Sequence, residues 1–162
     1  MKCLVFSDSH GSTYYMEKAI KRNPDADYIF FLGDGISDAE VLAENDRLHT
    51  WVCVKGNCDF RSYFLGRALS KTEEIIIANK KVVLTHGDLY NVKYGLDNIK
   101  SLAKSRKADI VLFGHTHRMY EEYVSESTPF YLFNPGSISK EDYSFGILTV
   151  TGNTVLLSHG RV

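Results

Sequence analysis

Five apolar segments of the sequence each end in residues that could bind metal ions or move protons. The segments are KCLVF, YIFFL, TWVCV, KVVL and IVLF, and the polar residues that follow them are Asp8, His10, Asp34, Asn57, His86, His115 and His117. Mixed imidazole and oxygen ligands are typical of Mn, Fe, Zn or Ni, whereas Mg and Ca prefer oxygen alone. Each segment alone has a plainer interpretation, because an Asp can cap a helix and Gly-Asp can form a turn. One metal site explains all five together.

The spacing of these residues predicts that they meet in one crevice. Parallel strands bind ligands at their carboxyl ends, where the connecting loops converge. The i, i+2 pairs Asp8/His10 and His115/His117 could each point to one side of an extended segment and share an ion. Neighbouring glycines at positions 33, 56, 87 and 114 would let the backbone turn tightly. Seven ligands exceed the need of one ion, so we expect two divalent ions that share one carboxylate. Such a pair binds phosphoryl oxygens and activates water, which predicts hydrolysis of a phosphate ester.

The elements that must position these residues follow from the apolar pattern. The first part of the chain alternates strands (2–6, 28–32 and 50–54) with helices (12–22 and 37–45), for which Ser12 and Ser37 are the expected N-caps. This order predicts parallel strands that are buried on both faces. A hairpin around Asn79-Lys80, a helix within 94–107 and a strand at 110–114 come next, and the segment 59–72 has no clear pattern.

The last part of the sequence, from Met119 onward, predicts strands only, at 119–125, 129–134, 145–150 and 154–159. So many strands would overfill one flat sheet. We therefore expect an α/β fold in which two sheets of mixed strand direction pack face to face, with helices outside. An exposed edge strand in this part could pair with a second copy of the chain, which would give a homo-oligomer.

Composition and charge exclude several classes of protein. The chain has 162 residues, which suits a single domain over residues 1–162, and its net charge of −1 gives no argument for nucleic acid as a partner. No apolar run is long enough to cross a membrane. Cys3 and Cys53 lie in apolar runs, and no cysteine pair has zinc-type spacing, so we expect reduced thiols and a cytoplasmic location. His49 and His159 follow no ligand pattern.

The blocks Asp-x-His (8–10), Gly-Asp (33–34), Gly-Asn-x-Asp (56–59), His-Gly (86–87) and Gly-His-x-His (114–117) resemble the signature of the calcineurin-like metallophosphoesterases. They occur in the order of that family. The short length and the segment FNPGSIS (133–139) are most similar to the small phosphodiesterases of the YfcE type, whose fold is shared with the metallophosphoesterase-like subunit of retromer. The resemblance implies a four-layer αββα sandwich.

The resemblance also implies the arrangement of the metal ions, with Mn²⁺ expected first and Ni²⁺, Fe²⁺ or Zn²⁺ as alternatives. One ion would be bound by Asp8, His10, Asp34 and His117. The other would be bound by Asp34, Asn57, His86 and His115. A hydroxide that bridges the two ions would attack the phosphorus of a small or nucleotide-like phosphodiester, in line with the leaving group.

Three features near the signature blocks remain open at this stage. Cys58 stands where many relatives have a histidine that assists the leaving group, and a thiol is a poorer proton donor. We therefore expect better activity on activated diesters, or on substrates that bring their own acid, than on unactivated alkyl monoesters. Asp59 either supports a ligand or caps a turn. The segment 134–137 either returns to the site or forms a plain turn.

Two other functions are consistent with the same blocks. A protein-binding scaffold could keep the fold and the metals without turnover, although a decayed site would be expected to lose ligands and all seven are present. A nuclease would also use two ions, but the near-neutral charge and the scattered tyrosines offer neither a basic groove nor a stacking platform. The expected order is phosphodiesterase, scaffold, nuclease.

Overall fold

The computed structural model describes residues 1–162 and contains two five-stranded sheets, a small hairpin and three α-helices. The first sheet consists of β1 (Lys2–Phe6), β2 (Tyr28–Phe31), β3 (Thr50–Cys53), β11 (Ser144–Thr151) and β12 (Thr154–Arg161). The second consists of β6 (Thr72–Ile77), β7 (Lys80–Thr85), β8 (Ile110–Phe113), β9 (Met119–Val124) and β10 (Phe130–Pro135). The hairpin is β4 (Tyr63–Phe64) and β5 (Arg67–Ala68), and the helices are α1 (Tyr14–Lys21), α2 (Ile36–Ala43) and α3 (Asp97–Arg106), with one 3₁₀ turn at Asp88–Tyr90.

Both large sheets have mixed strand directions, as predicted. The first has the order β12–β11–β1–β2–β3, in which β1, β2 and β3 are parallel and β11 and β12 extend the sheet antiparallel. The second has the order β6–β7–β8–β10–β9, with β7, β8 and β10 parallel in the middle. The five segments that carry the candidate ligands are all parallel strands, so their carboxyl ends share an edge within each sheet.

Alternating side chains on the central strands produce the layers. Val5 and Phe30 point between the two sheets, whereas Leu4 and Phe31 pack against α1 and α2 on the outer face. On the second sheet, Val111 contributes to a cluster with α3. The period of two therefore builds three apolar clusters and a four-layer αββα sandwich, which confirms the predicted fold class.

The predicted helix caps are wrong. The N-cap of α1 is Thr13 rather than Ser12, and it makes no side-chain hydrogen bond. Gly35 is the N-cap of α2, so Ser37 lies inside the helix. The free N–H groups of Gly35 and Ile36 instead donate to the carboxylate of Asp59, at 2.8 and 3.0 Å. A distant carboxylate thus replaces the local cap, because it satisfies the same donors and favours the positive end of the helix dipole.

Several smaller predictions are refined by the structure. The β6–β7 turn is formed by Ala78 and Asn79, both with positive φ, so Lys80 already belongs to β7. The segment 59–72, for which no element was predicted, contains the β4–β5 hairpin. Cys3 and Cys53 are free thiols buried in the apolar clusters, as expected. None of the three helices is both long and apolar enough to cross a bilayer.

Candidate metal centre

All seven candidate ligands meet at the carboxyl ends of the strands, and they form two adjoining groups. In the first group, ligand atoms of Asp8, His10 and His117 lie within 4.8 Å of one another. Asp34, His86 and His115 form the second group at the same spacing. The Asn57 amide oxygen joins the second group, 3.1 Å from His86 Nε2. Every site residue from the five strand ends is therefore brought to one place.

His86 is the centre of the second group and is held rigidly. Its Nδ1 donates to the Leu32 carbonyl at 2.7 Å, which fixes the tautomer because a carbonyl oxygen only accepts. The Nε2 atom then faces Asp34 Oδ2 at 3.3 Å and His115 Nδ1 at 3.1 Å. In the neutral ring, Nε2 carries a lone pair, and it faces the carboxylate oxygen of Asp34 and the amide oxygen of Asn57, which also only accept. Such a convergence of acceptors requires a positive charge between them.

Asp8 is the buried carboxylate of the first group. Its Oδ2 accepts from Ser7 Oγ at 2.5 Å and from the His115 backbone N–H at 3.1 Å. Its Oδ1 is also buried and has no hydrogen-bond donor, although His117 Nε2 lies 3.2 Å away. His117 Nε2 in turn lies 3.2 Å from His10 Nε2. A buried carboxylate oxygen without a donor is costly, and a divalent cation fits the position.

Electrostatics within the centre show the same demand for positive charge. Burial opposes ionisation of Asp34, but the hydrogen bond and charge of His86, together with the Cys58 contacts, hold its pKa well below the usual range. Burial likewise lowers the pKa of His86, yet the hydrogen bond to Asp34 and the charge of Asp8 raise it overall. Burial and the charge of His86 lower the pKa of His115. The acceptor atoms that stabilise a proton on His86 are therefore the same atoms that would bind a metal ion.

The backbone that carries these side chains is strained rather than extended. Five of the seven have positive φ, between 48° and 67°: Asp8, His10, Asp34, His115 and His117. Left-handed conformations are uncommon outside glycine and cluster at functional sites. The argument from extended i, i+2 pairs is therefore wrong in its geometry. Asp8 and His10 do share a group, but His115 and His117 belong to different groups.

Two glycines allow the loops to approach closely enough to form the centre. A Cβ on Gly56 would overlap Asp34 Oδ1 and the Asp34 backbone nitrogen. A Cβ on Gly114 would overlap the Ser7 hydroxyl that supports Asp8. Any larger residue at either position would push a candidate ligand out of place.

Asp59 has both of the roles that the sequence left open. Its carboxylate accepts from the backbone N–H groups of Asp34, Gly35, Ile36 and Gly56, at 2.8 to 3.0 Å. It thereby caps α2 and ties the Gly56 turn to the backbone of Asp34. The Cys58 N–H completes the support by donating to Asp34 Oδ1 at 2.8 Å. The stretch that follows β3 is thus the main anchor of Asp34.

The segment 134–137 returns to the site, which is the first of the two alternatives that the sequence left open. The buried Asn134 Nδ2 donates to the Gly114 carbonyl at 2.8 Å and to Thr116 Oγ1 at 3.1 Å. Ser137 Oγ donates to the Asp8 carbonyl at 2.8 Å. These two side chains fix the loops that carry His115 and Asp8.

Two supporting residues were not found from the sequence. Asp38 accepts from Ser9 Oγ at 2.6 Å and from the Gly11 N–H at 2.8 Å, which holds the loop around His10. Lys71 joins the Gly56 carbonyl to Asp88, at 3.1 and 2.9 Å. Local spacing could have suggested Asp38, four residues after Asp34, but nothing near Lys71 signals its role.

The remaining predicted residues have clear positions. Cys58 is exposed, its sulfur accepts from Asn57 Nδ2 at 3.2 Å, and a hydrogen bond with Asp34 followed by partial burial raises its thiol pKa. The two histidines outside the pattern have structural partners. His49 Nδ1 contacts Asp46 at 2.7 Å, and His159 donates to the Asn134 carbonyl at 2.8 Å.

Comparison with known proteins gives consistent relatives along the whole chain. Residues 1–160 match the model of the calcineurin-like phosphoesterase superfamily domain. The chain is 32% identical over 156 residues to the probable metallophosphoesterase YsnB of Bacillus subtilis, which covers 93% of this chain and 85% of that protein.

Solved structures show the same fold. The phosphoesterase YfcE from E. coli superposes with a TM-score of 0.68 at 21% identity and covers 99% of this chain and 98% of its own. Vps29 from Entamoeba histolytica, solved with Zn²⁺, superposes with a TM-score of 0.74 at 21% identity and the same coverage. The resemblance to small YfcE-type proteins is thus confirmed, and the clustered acceptors support divalent metal binding. The chain belongs to the calcineurin-like phosphoesterase superfamily.

Proposed function

We propose that this protein is a metal-dependent phosphodiesterase that hydrolyses small or nucleotide-like phosphodiesters at a centre of two divalent ions, with Mn²⁺ the first expected. The observation that carries the proposal is the buried Asp8 Oδ1, which has no hydrogen-bond donor and faces the convergent acceptors of the strand ends. Two adjoining groups of ligand atoms support a centre of two ions. In this proposal Asp34, which belongs to the second group, is the carboxylate that both ions share.

The reaction adds water across one phosphorus–oxygen ester bond. The water oxygen bonds to phosphorus, the ester oxygen leaves with the bonding electron pair, and one water proton ends on the leaving alcohol. Divalent ions would activate the water and stabilise the negative charge on the phosphoryl oxygens. The side chains of the protein must meet every other requirement of the reaction.

The side chains divide these requirements by burial and charge. Asp8 and Asp34 supply the negative charge that retains cations, and both are almost fully buried, at 0% and 4% exposure. Asn57 adds an oxygen ligand without further charge. His10 and His117 lie at the rim, with side chains 38% and 41% exposed, so they border the space that the phosphate enters. The rigid anchoring of His86 and Asp34 keeps the centre preorganised.

Open space on two sides of His10 supports a diester over a monoester. One cleft, of about 280 Å³, is bordered by His10, Asp34 and Cys58. Another, of about 370 Å³, is bordered by His10, His117 and Ser139. A phosphodiester has an organic group on each side of phosphorus, so a centre with open space on more than one side suits a diester.

Metal removal and restoration test the proposal directly. Protein treated with EDTA is expected to lose hydrolysis of bis(p-nitrophenyl) phosphate and to regain it with Mn²⁺, measured by release of p-nitrophenol. Mn²⁺ should also raise the melting temperature of the metal-free protein, because an ion that binds only the folded state stabilises it. Activity that is indifferent to the chelator would contradict the proposal. Metal analysis by mass spectrometry of protein purified without added ions would identify the resident ion.

A protein-binding scaffold is the second candidate, and two observations favour it. The fold matches the vacuolar protein sorting protein Vps29. The segment after Asp59 also exposes apolar side chains, with Phe60 98% and Tyr63 62% exposed. A scaffold would bind Mn²⁺ or Zn²⁺ with the same increase in melting temperature but would hydrolyse no phosphoester in a broad panel. The complete set of acceptors favours the enzyme. The net charge of −1 leaves nucleic acid the least favoured substrate.

A further inference from the structure

A separate cleft of about 540 Å³, here called the Lys93 cleft, lies beside the metal centre. It is lined by Val92, Lys93, Leu96, Phe113, Thr116, Arg118, Met119 and Tyr120. The lining is mainly apolar with a few polar groups, and the volume lies in the range of sites for small organic ligands. None of these residues belongs to the two groups of candidate metal ligands.

The cleft borders the loops that carry several of the candidate ligands. Within the segment after β8, His115 and His117 belong to the two ligand groups, whereas Thr116 and Arg118 line the cleft. Val92 fills the space beside Gly87, where a Cβ would be only 2.8 Å from Val92 Cγ2. The cleft is therefore next to the residues that would bind a phosphate.

The cleft presents two cations to this space. Lys93 and Arg118 are exposed, and neither side chain takes part in a hydrogen bond or salt bridge within the protein. By contrast, Lys71 pairs with Asp88 and Lys100 pairs with Glu122 near the same loops and helix. Two unpaired cations beside an apolar wall favour a ligand that carries both a negative charge and an apolar surface.

The apolar wall favours a flat ring. Phe113 and Tyr120 have ring centroids 6.2 Å apart, and Met119 and Leu96 add flexible apolar surface. The Tyr120 hydroxyl already donates to Glu122 at 2.7 Å, so it is not available to a ligand. An aromatic ring would bury apolar area here, and its rigidity reduces the entropy lost on binding.

We propose that the Lys93 cleft binds one ester arm of the substrate, and that this arm is an aromatic group with an anionic group beyond the scissile phosphate, as in a nucleotide that carries a second phosphate. The inference rests on the proposed phosphodiesterase function and specifies its substrate class. Lys93 and Arg118 are specificity residues that contact the distal anion, and Met119 is one that contacts the ring.

Three diesters with the same leaving group separate these contributions. They are the p-nitrophenyl esters of methyl phosphate, phenyl phosphate and 4-carboxyphenyl phosphate, assayed with Mn²⁺ by release of p-nitrophenol. We expect kcat/KM to rise from methyl to phenyl and by roughly tenfold from phenyl to 4-carboxyphenyl, because the carboxylate gains a charge-assisted contact. Equal rates for phenyl and 4-carboxyphenyl would overturn the inference.

Variants assign the preference to the cleft. Lys93→Met and Arg118→Met should each reduce the 4-carboxyphenyl preference to about threefold, and the double variant should remove it. Met119→Ser should reduce the phenyl preference over methyl instead. Lys107→Met, which removes an exposed cation at the end of α3, away from the clefts described here, is the matched control and should leave both ratios unchanged. A preference that survives the double variant, or that falls equally in Lys107→Met, would contradict the assignment.

Binding without metal separates failure of this inference from failure of the proposed function. In EDTA, 4-carboxyphenyl phosphate should shift the NMR methyl resonances of Val92, Leu96 and Met119, and Lys93→Met with Arg118→Met should abolish the shifts. If the shifts occur in a protein that hydrolyses none of the diesters, the cleft is a binding site but the proposed phosphodiesterase function is wrong. If hydrolysis depends on metal but neither the shifts nor the carboxylate preference is seen, the phosphodiesterase function stands and the inference about the cleft is wrong.

Discussion

Two pairs of aspartates lie at opposite ends of the parallel strands. Asp27 and Asp109 precede β2 and β8 at the amino-terminal ends. Asp8 and Asp34 follow β1 and β2 at the carboxyl-terminal ends. Both members of the first pair accept hydrogen bonds from backbone N–H groups of the protein. Asp27 accepts from the Lys2 N–H and Asp109 from the Lys81 N–H, both at 2.8 Å. Lys80 adds its charge at 3.5 Å from Asp109.

In the second pair, only one oxygen of each carboxylate accepts a hydrogen bond from a backbone or hydroxyl group. Asp8 Oδ1 has no donor, and Asp34 Oδ2 faces His86, whose Nε2 also faces Asn57 and His115. The same residue type therefore stabilises the fold at one edge and carries an unmet demand for cations at the other. The two edges should separate in experiment: changes at the amino edge affect stability, and changes at the carboxyl edge affect activity.

Asp8→Asn is expected to show the largest difference between its effect on activity and its effect on stability. The substitution keeps the shape but removes a charge that retains metal, so hydrolysis of an aryl phosphodiester should fall by about 1,000-fold or more. The metal-free protein should unfold at the same or a higher temperature, because the Asn amide can donate toward His117. Steady-state kinetics with Mn²⁺ and thermal unfolding in EDTA measure the two effects. Asp27→Asn is the control at the other edge and should retain activity; comparable activity losses in both variants would refute the separation.

Asp59→Asn should reduce both stability and activity, because this carboxylate binds the backbone of Asp34 at the carboxyl edge and also the start of α2. It accepts from four backbone N–H groups, and an amide can accept at only one of its two positions. We expect a loss of about 2–3 kcal/mol in the free energy of unfolding, together with lower activity as Asp34 loses its anchor. Urea unfolding and kinetics on the same sample measure both. Asp25→Asn, an exposed partner of Lys2, should change neither, and an unchanged stability in Asp59→Asn would refute the anchoring role.

Asp109→Ala should affect stability alone. It removes one charge-assisted hydrogen bond to the start of β7, and the side chain is 38% exposed, so solvent reduces the effect to about 1 kcal/mol. Urea unfolding should show the loss, and the Mn²⁺-dependent kcat/KM should stay within about twofold of wild type. A larger fall in activity than in stability would mean that the amino edge also acts on the centre.

The contrast between the edges also explains what the sequence could predict. Apolar segments followed by Asp, Asn or His predicted the strands, their parallel order and the gathering of all seven residues. These predictions succeeded because a parallel sheet places every strand end at a common edge, whatever the loops do. The two-sheet, four-layer fold followed from strand number and period.

The predictions that failed depended on contacts between distant segments. Ser37 was expected to cap α2, but Asp59 satisfies those N–H groups from a loop more than twenty residues away. The extended conformation expected around Asp8 gave way to left-handed backbone, which loop packing imposes and propensity does not reveal. Lys71 and Asp38 act through side chains that bind backbone groups of other loops, so no local period marks them.

Cys58→His is expected to have the smallest effect, and it tests what the carboxyl edge lacks. Cys58 is not a good acid at that edge, because the contact with Asp34 keeps its thiol pKa raised. An imidazole at this position could protonate a poor leaving group, so kcat/KM for alkyl esters should rise by about fivefold, with little change for p-nitrophenyl esters. A leaving-group series on wild type, Cys58→His and the matched control Cys58→Ser measures the slope against leaving-group pKa. Equal slopes in all three proteins would show that proton donation to the leaving group does not limit the reaction at this centre. The catalytic contribution of the centre would then come from its bound cations.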